Sequence, residues 1–122
     1  YDLFEKLKQL KNIIIIDPAS YFEFNSLVFN SQFILTDSGG IQEESPSFGK
    51  PVLVVRKETE RPEGIDAGVA KLAGIEKKKI YEYMNKLIKN KEEYNKMANA
   101  VNPYGDGKAS KRIADIIIES FK

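Results

Sequence analysis

The residues best placed to do chemistry form a short segment, Thr36–Glu44, with the sequence TDSGGIQEE. The apolar run Phe33–Thr36 predicts a buried strand that leads into this segment, and Ile41–Phe48 predicts a short helix that follows it. Asp37 and Ser38 are favourable helix N-cap residues, and the two glycines let the backbone come close to a ligand. Unpaired N–H groups and the positive end of the helix dipole would meet there, which suits a phosphate group.

Glu44 follows about one helical turn later and adds a second kind of chemistry. A carboxylate at that position could accept hydrogen bonds from two neighbouring hydroxyls. A phosphate acceptor beside a diol acceptor indicates a nucleotide. An ordinary strand–turn–helix junction fits the same spacing, so the spacing by itself leaves both interpretations open.

Composition narrows the possible chemistry. The 122 residues suit one domain, with 42% hydrophobic and 30% charged residues. The net charge of +1 gives no general argument for a nucleic-acid or membrane partner. Cysteine and histidine are both absent, which excludes disulfides, thiolate chemistry and the commonest metal ligand within these residues. No long apolar run or signal peptide is visible.

The hydrophobic pattern alternates between strand-like and helix-like segments. Predicted strands are Ile13–Ile16, buried on both faces, then Phe33–Thr36, Pro51–Val55 and Val69–Leu72. Predicted helices are Tyr1–Leu10, a helix from the Ser20–Glu23 capping box to Asn30, the short helix closed by Gly49, a turn at Glu63–Ala67, two amphipathic stretches around Ile80–Ile88 and Tyr94–Val101, and Ala109–Phe121. This order predicts an α/β fold: a parallel, Rossmann-like sheet with helices on both faces and ligands beyond the carboxyl ends of its strands.

Three separated blocks resemble the UDP-N-acetylglucosamine 2-epimerase family. They are the TDSGGIQEE segment followed by Gly49–Leu53, then Thr59–Glu63 (TERPE), then Asn102–Ser110 (NPYGDGKAS). The resemblance implies the second domain of a two-domain fold of the GT-B type. Residues 1–122 would then be a single, partial nucleotide-binding domain from the C-terminal half of the enzyme. Because the chain begins at Tyr1 within a helical pattern, we expect it to be a piece of a longer protein.

The resemblance also implies roles for individual residues. It assigns the diphosphate to Ser38, Gly39 and Gly40, the ribose hydroxyls to Glu44, the UDP end of the cleft to Arg61, and the uracil side to Phe24. A neighbouring family position that is often glutamine is Ala19 here, so the chain departs from the family pattern on that side. Other interpretations stay open from the residues alone: Phe24 as a core residue, Arg61 as a solvated side chain, Glu43 as a surface residue, and Tyr104 as a packing, capping or site residue.

Family membership would imply interconversion of UDP-N-acetylglucosamine and UDP-N-acetylmannosamine by elimination and re-addition of UDP, without a metal or redox cofactor. No catalytic residue of the family lies in this chain, so we expect the isolated fragment to be inactive. The implied partners are a UDP-sugar, an N-terminal domain and other copies of the protein, in a cytoplasmic enzyme of cell-surface polysaccharide biosynthesis. A GT-B nucleotide-sugar glycosyltransferase domain and a non-catalytic α/β interaction module are the alternatives.

Overall fold

A computed structural model describes residues 2–122 and contains one parallel sheet of three strands. The strands are β1 (Ile34–Thr36), β2 (Val52–Val54) and β3 (Ala70–Leu72), in the order β1-β2-β3. Ile34 lies opposite Val52, and Val52 lies opposite Ala70. These three strands and their parallel pairing confirm the predicted α/β sheet.

Seven helices lie within the described residues: α1 (Asp2–Lys8), α2 (Tyr21–Asn30), α3 (Gly39–Glu44), α4 (Pro62–Ala67), α5 (Lys77–Lys89), α6 (Lys91–Ala98) and α7 (Ala109–Ser120). A 3₁₀ helix, Ser45–Phe48, continues α3 and ends at Gly49, whose φ of 65° is the left-handed conformation that glycine adopts without strain. The capping box at Ser20 and Glu23 forms as expected and starts α2. Tyr1, which was included in the first predicted helix, lies outside the described residues.

Strand β2 is the centre of the core because its three side chains are completely buried and alternate between the two faces of the sheet. On one face Val52 and Val54 pack with Val69, Ala70 and Ile65, the last from α4. On the other face Leu53 packs with Ala73 and Leu87, against side chains from α5 and α6. Helices therefore cover both faces, as the consecutive apolar residues of β2 predicted.

The strand predicted at Ile13–Ile16 is wrong. This segment has no strand pairing in the described chain, and its four side chains are between 37% and 87% exposed. β-Branched residues favour a strand, but a strand exists only where a neighbour supplies hydrogen bonds and a covered face. Strand β1 lies at the edge of the sheet and its free side is not filled by Ile13–Ile16, so the apolar run stays unpaired.

Helix α7 is amphipathic, yet none of its residues is buried. Ile113, Ile116 and Phe121 are 57%, 66% and 86% exposed. Nothing among residues 2–122 covers this apolar face. No helix in the same range has the length and apolar character that a membrane span requires.

Candidate functional site

The turn after β1 is built by two side chains that satisfy backbone donors. Thr36, buried at the end of β1, accepts a hydrogen bond on Oγ1 from the N–H of Ser38 at 3.0 Å. Ser38 is the N-cap of α3, and its Oγ accepts a hydrogen bond from the N–H of Ile41 at 3.5 Å. The strand therefore ends and the helix begins within two residues, which fixes the direction of the backbone between them.

Gly39 and Gly40 leave their N–H groups free at this turn. No hydrogen bond among residues 2–122 uses either group, as expected for the first residues of a helix. Neither glycine has a positive φ, so other residues could adopt the same backbone conformation. What glycine contributes here is the absence of a side chain beside two unpaired donors.

Arg61 lies directly over Gly39, although the two are 22 positions apart in the chain. A Cβ atom placed on Gly39 would be 3.7 Å from Nη2 of Arg61 and 3.8 Å from its Cζ. Arg61 directly precedes α4, at the carboxyl-end side of β2, and is half-buried. The structure thus brings together the glycine turn and the arginine, which the sequence singled out separately.

Glu43 and Tyr104, for which the sequence alone allows several roles, both contact Arg61. Glu43 accepts a hydrogen bond and ion pair from Nε of Arg61, although its own side chain remains 43% exposed. Tyr104 donates a hydrogen bond from its hydroxyl to the carbonyl of Arg61 at 3.4 Å. Glu43 is thus a surface residue, as expected, but one that pairs with the arginine. Their membership in the SGGIQEE and NPYGDGKAS segments was the only sequence signal for these contacts.

Glu44 lies at the end of α3 and is exposed. No hydrogen bond or ion pair uses its carboxylate within the described part of the chain. It borders a groove of about 380 Å³ between α3 and the segment 102–112, which Tyr104 and Arg112 also line. Glu44 follows Gly40 by four residues, so both lie on one face of α3, about 6 Å apart along the helix axis.

The groove contains polar groups with perturbed ionisation. The side-chain hydrogen bond from Arg112, at 2.9 Å between Nη1 and Oδ1, lowers the pKa of Asp106. Burial raises the pKa of Tyr104 above its ordinary value of about 10, and its protonated hydroxyl is a hydrogen-bond donor at neutral pH. Both residues belong to the NPYGDGKAS segment, which therefore forms the wall of the groove opposite Glu44.

Phe24 is the one proposed site residue that the structure does not connect to the turn. It is half-buried on α2, and the aromatic pairs described for the chain are Tyr21 with Phe22 and Phe29 with Phe48. The second of these pairs joins α2 to the 3₁₀ helix that follows α3. Helix α2 is therefore adjacent to the site region, while the role of Phe24 itself stays a prediction.

A family model described as UDP-N-acetylglucosamine 2-epimerase matches residues 2–118. The chain belongs to the UDP-N-acetylglucosamine 2-epimerase family. It is 53% identical over 113 residues to the UDP-N-acetylglucosamine 2-epimerase of Campylobacter jejuni, a match that covers 93% of this chain and 30% of the relative. The corresponding enzyme of Escherichia coli K12 is 51% identical over 111 residues, which cover 91% of this chain and 30% of that protein.

Solved structures of the epimerase family have the same fold as this chain. The crystal structure of UDP-GlcNAc 2-epimerase from Neisseria meningitidis bound to UDP-GlcNAc superposes with a TM-score of 0.89 at 50% sequence identity. That superposition covers 94% of this chain and 31% of the Neisseria chain. The chain thus spans about 30% of the length of the epimerases that it matches. The match is to the epimerase family and not to the glycosyltransferases considered as an alternative.

Proposed function

We propose that residues 1–122 are a single nucleotide-binding domain of a UDP-N-acetylglucosamine 2-epimerase and that they bind the UDP portion of the substrate. The observation that carries the proposal is the position of the Arg61 guanidinium, 3.7 Å from the position that a Cβ on Gly39 would occupy, in a turn where the N–H groups of Gly39 and Gly40 are unpaired. A cation and two unpaired backbone donors at one turn suit a diphosphate.

The diphosphate would be held mainly by hydrogen bonds. The N–H groups of Gly39 and Gly40 point from the start of α3, and the Ser38 cap keeps that helix start in place. Arg61 adds positive charge and a planar donor group that matches phosphate oxygens. No metal or redox cofactor is needed for this binding, since the protein supplies both the charge and the donors.

The ribose would lie along α3 toward Glu44. The separation of about 6 Å between Gly40 and Glu44 along the axis is comparable to the distance from a diphosphate to the hydroxyls of its nucleoside. Because Glu44 has no partner among the described residues, its carboxylate is available to accept hydrogen bonds from both hydroxyls. Phe24 on α2 is the proposed neighbour of the uracil.

The complete protein would interconvert UDP-N-acetylglucosamine and UDP-N-acetylmannosamine. This chain would hold the leaving UDP while other parts of the protein remove and return the C2 proton. In a protein as long as the relatives, an N-terminal domain would close the cleft. The exposed apolar face of α7 is a surface that such a domain could cover. A homo-oligomer, a cytoplasmic location and a role in cell-surface polysaccharide synthesis are further proposals that rest on the resemblance.

Calorimetry with UDP tests the binding proposal. We expect the 122-residue chain to bind UDP, and Arg61→Ala to weaken binding by roughly tenfold to a hundredfold, as for the loss of a charge-assisted hydrogen bond. Lys57→Ala is the matched control, because Lys57 is an exposed cation in the same loop. A chain that binds no UDP would instead support the non-catalytic interaction module.

Exchange of the C2 proton tests the proposal that this chain holds UDP while other parts of the protein move the proton. A positioned acid or base contributes about 10²–10⁴-fold to a rate, and a closed cleft also excludes water. We therefore expect the isolated chain to leave UDP-N-acetylglucosamine unlabelled at C2 in heavy water, and the full-length protein to introduce deuterium there. Exchange by the isolated chain above the protein-free control would show that a competent base lies within these residues.

A further inference from the structure

Arg61 is held in position by contacts to its backbone as well as to its side chain. The backbone N–H donates to Oγ1 of Thr59 at 3.0 Å, and the backbone carbonyl accepts from the Tyr104 hydroxyl at 3.4 Å. In the side chain, Nε donates to Glu43 and Nη1 donates to the carbonyl of Glu60 at 3.2 Å. Of the three guanidinium nitrogens of Arg61, only Nη2 makes no hydrogen bond to residues 2–122. Nη2 is also the guanidinium atom nearest to the position of a Cβ on Gly39.

The contacts from one side originate in α3, the helix that begins at the glycine turn. Gln42 is 1% exposed, and its Oε1 accepts a hydrogen bond from the Thr59 hydroxyl at 2.8 Å. The next residue, Glu43, pairs with the Arg61 side chain. Two consecutive residues of α3 therefore connect the arginine loop to the helix that carries the proposed phosphate donors.

The contact from the other side comes from the C-terminal segment. The Tyr104 hydroxyl lies so close to Gly64 that a Cβ added to Gly64 would be 2.6 Å from it. Asn102 supports this arrangement: its Oδ1 accepts the Tyr104 N–H at 3.0 Å, and its Nδ2 donates to Ser47 at 3.1 Å. The backbone of Tyr104 is thus linked through Asn102 to the 3₁₀ helix that continues α3.

We propose that Glu43 and Tyr104 are positioning residues that hold the free Nη2 of Arg61 over Gly39 before any ligand arrives. This inference rests on the proposed function, because it assumes that Arg61 receives a phosphate. A long arginine side chain that is already ordered loses less conformational entropy on binding. The smaller entropy loss corresponds to about twofold to tenfold in affinity. The acidic charge of Glu43 opposes a phosphate, but at 43% exposure that repulsion is strongly screened by water.

The first test needs no ligand. The Nε–Hε group of Arg61 can be observed by ¹⁵N NMR, and a hydrogen bond to Glu43 slows its exchange with water. We expect slow exchange in the wild-type chain and in Glu43→Gln, which keeps an accepting oxygen, and at least threefold faster exchange in Glu43→Ala. Equal exchange rates in the wild type and Glu43→Ala would overturn the proposal, whether or not the chain binds UDP.

The second test compares ligands. We expect Glu43→Ala, Tyr104→Phe and Gly64→Ala each to weaken UDP and pyrophosphate about twofold to tenfold while uridine binding stays unchanged. Glu43→Gln should restore wild-type affinity, and Tyr81→Phe, an exposed tyrosine on α5, should match the wild type. Tighter UDP binding in both Glu43 variants would show that charge repulsion dominates and would refute the positioning role. Unchanged UDP binding in Tyr104→Phe would refute the positioning role of Tyr104. A wild-type chain that does not bind UDP would count against the proposed function instead.

Discussion

Gly39 offers the sharpest perturbation of the proposed phosphate site. A Cβ at this position would be 3.7 Å from Nη2 of Arg61, an ordinary van der Waals distance, so Gly39→Ala fits without moving the arginine. Gly39→Val adds two methyl groups about one bond length beyond Cβ, and these must either displace the guanidinium or fill the space above the Gly39 and Gly40 N–H groups. Because φ at Gly39 is not positive, neither substitution strains the backbone.

The expected loss follows from the contacts that the valine removes. If a phosphate can no longer reach Arg61, one charge-assisted hydrogen bond is lost, which costs about 1.5–3 kcal/mol, or roughly tenfold to a hundredfold in the Kd for UDP. Gly39→Ala should lose less, because the arginine stays in place. Calorimetry measures the three affinities, and thermal unfolding checks that each variant is folded. UDP binding by a folded Gly39→Val that equals that of the wild type would refute the assignment of the diphosphate to this turn.

Four further predictions follow from the site, the core and the sheet edge. Glu44→Ala should weaken UDP by about 1.5–3 kcal/mol but leave pyrophosphate binding unchanged in competition calorimetry, because the partners of Glu44 are ribose hydroxyls; an equal loss for both ligands would contradict that role. Leu53→Ala should lower the free energy of unfolding in denaturant by about 2–5 kcal/mol, since Leu53 is completely buried between the sheet and two helices; a loss below about 1 kcal/mol would contradict its place in the core. Burial raises the pKa of Tyr104, so its contribution to stability is fully present below the unfolded-state pKa of about 10 and is lost as the pH rises through the folded-state pKa. The stability of the wild type relative to Tyr104→Phe should therefore fall above about pH 10, and a constant difference would contradict this. The open edge of β1 should make the chain self-associate, and Leu35→Lys on that edge should reduce the association, whereas a concentration-independent monomer in sedimentation experiments would contradict the prediction.

The local parts of the fold could be read from the sequence because they depend on neighbouring residues. The Ser20 capping box and the left-handed cap at Gly49 both formed as predicted. Three strands were predicted to within one residue at either end, since their apolar runs find partners inside the chain. Ile13–Ile16 failed because pairing is a long-range property, and no neighbour for this run is present among residues 2–122.

In the candidate site, too, the local features were predictable from the sequence and the long-range contacts were not. Ser38 as the helix cap and the free N–H groups of two glycines follow from local geometry. The position of Arg61 over Gly39 depends on how the loop after β2 folds back on α3, and sequence spacing does not encode that. The contacts of Glu43 and Tyr104 with Arg61 depend on the same packing, so the sequence alone does not specify the roles of these two residues.

Residue-by-residue mapping of UDP on the ¹⁵N-labelled chain tests the central claim most directly. The proposed site predicts that UDP shifts the backbone signals of Ser38, Gly39 and Gly40 and the Nε–Hε signal of Arg61, with smaller changes near Glu44. The Leu87 region of α5, on the other side of the sheet from α4, should stay unchanged. Shifts confined to α5 and α6, or saturable binding that leaves the Gly39 and Gly40 signals unmoved, would contradict the assignment of UDP to this turn.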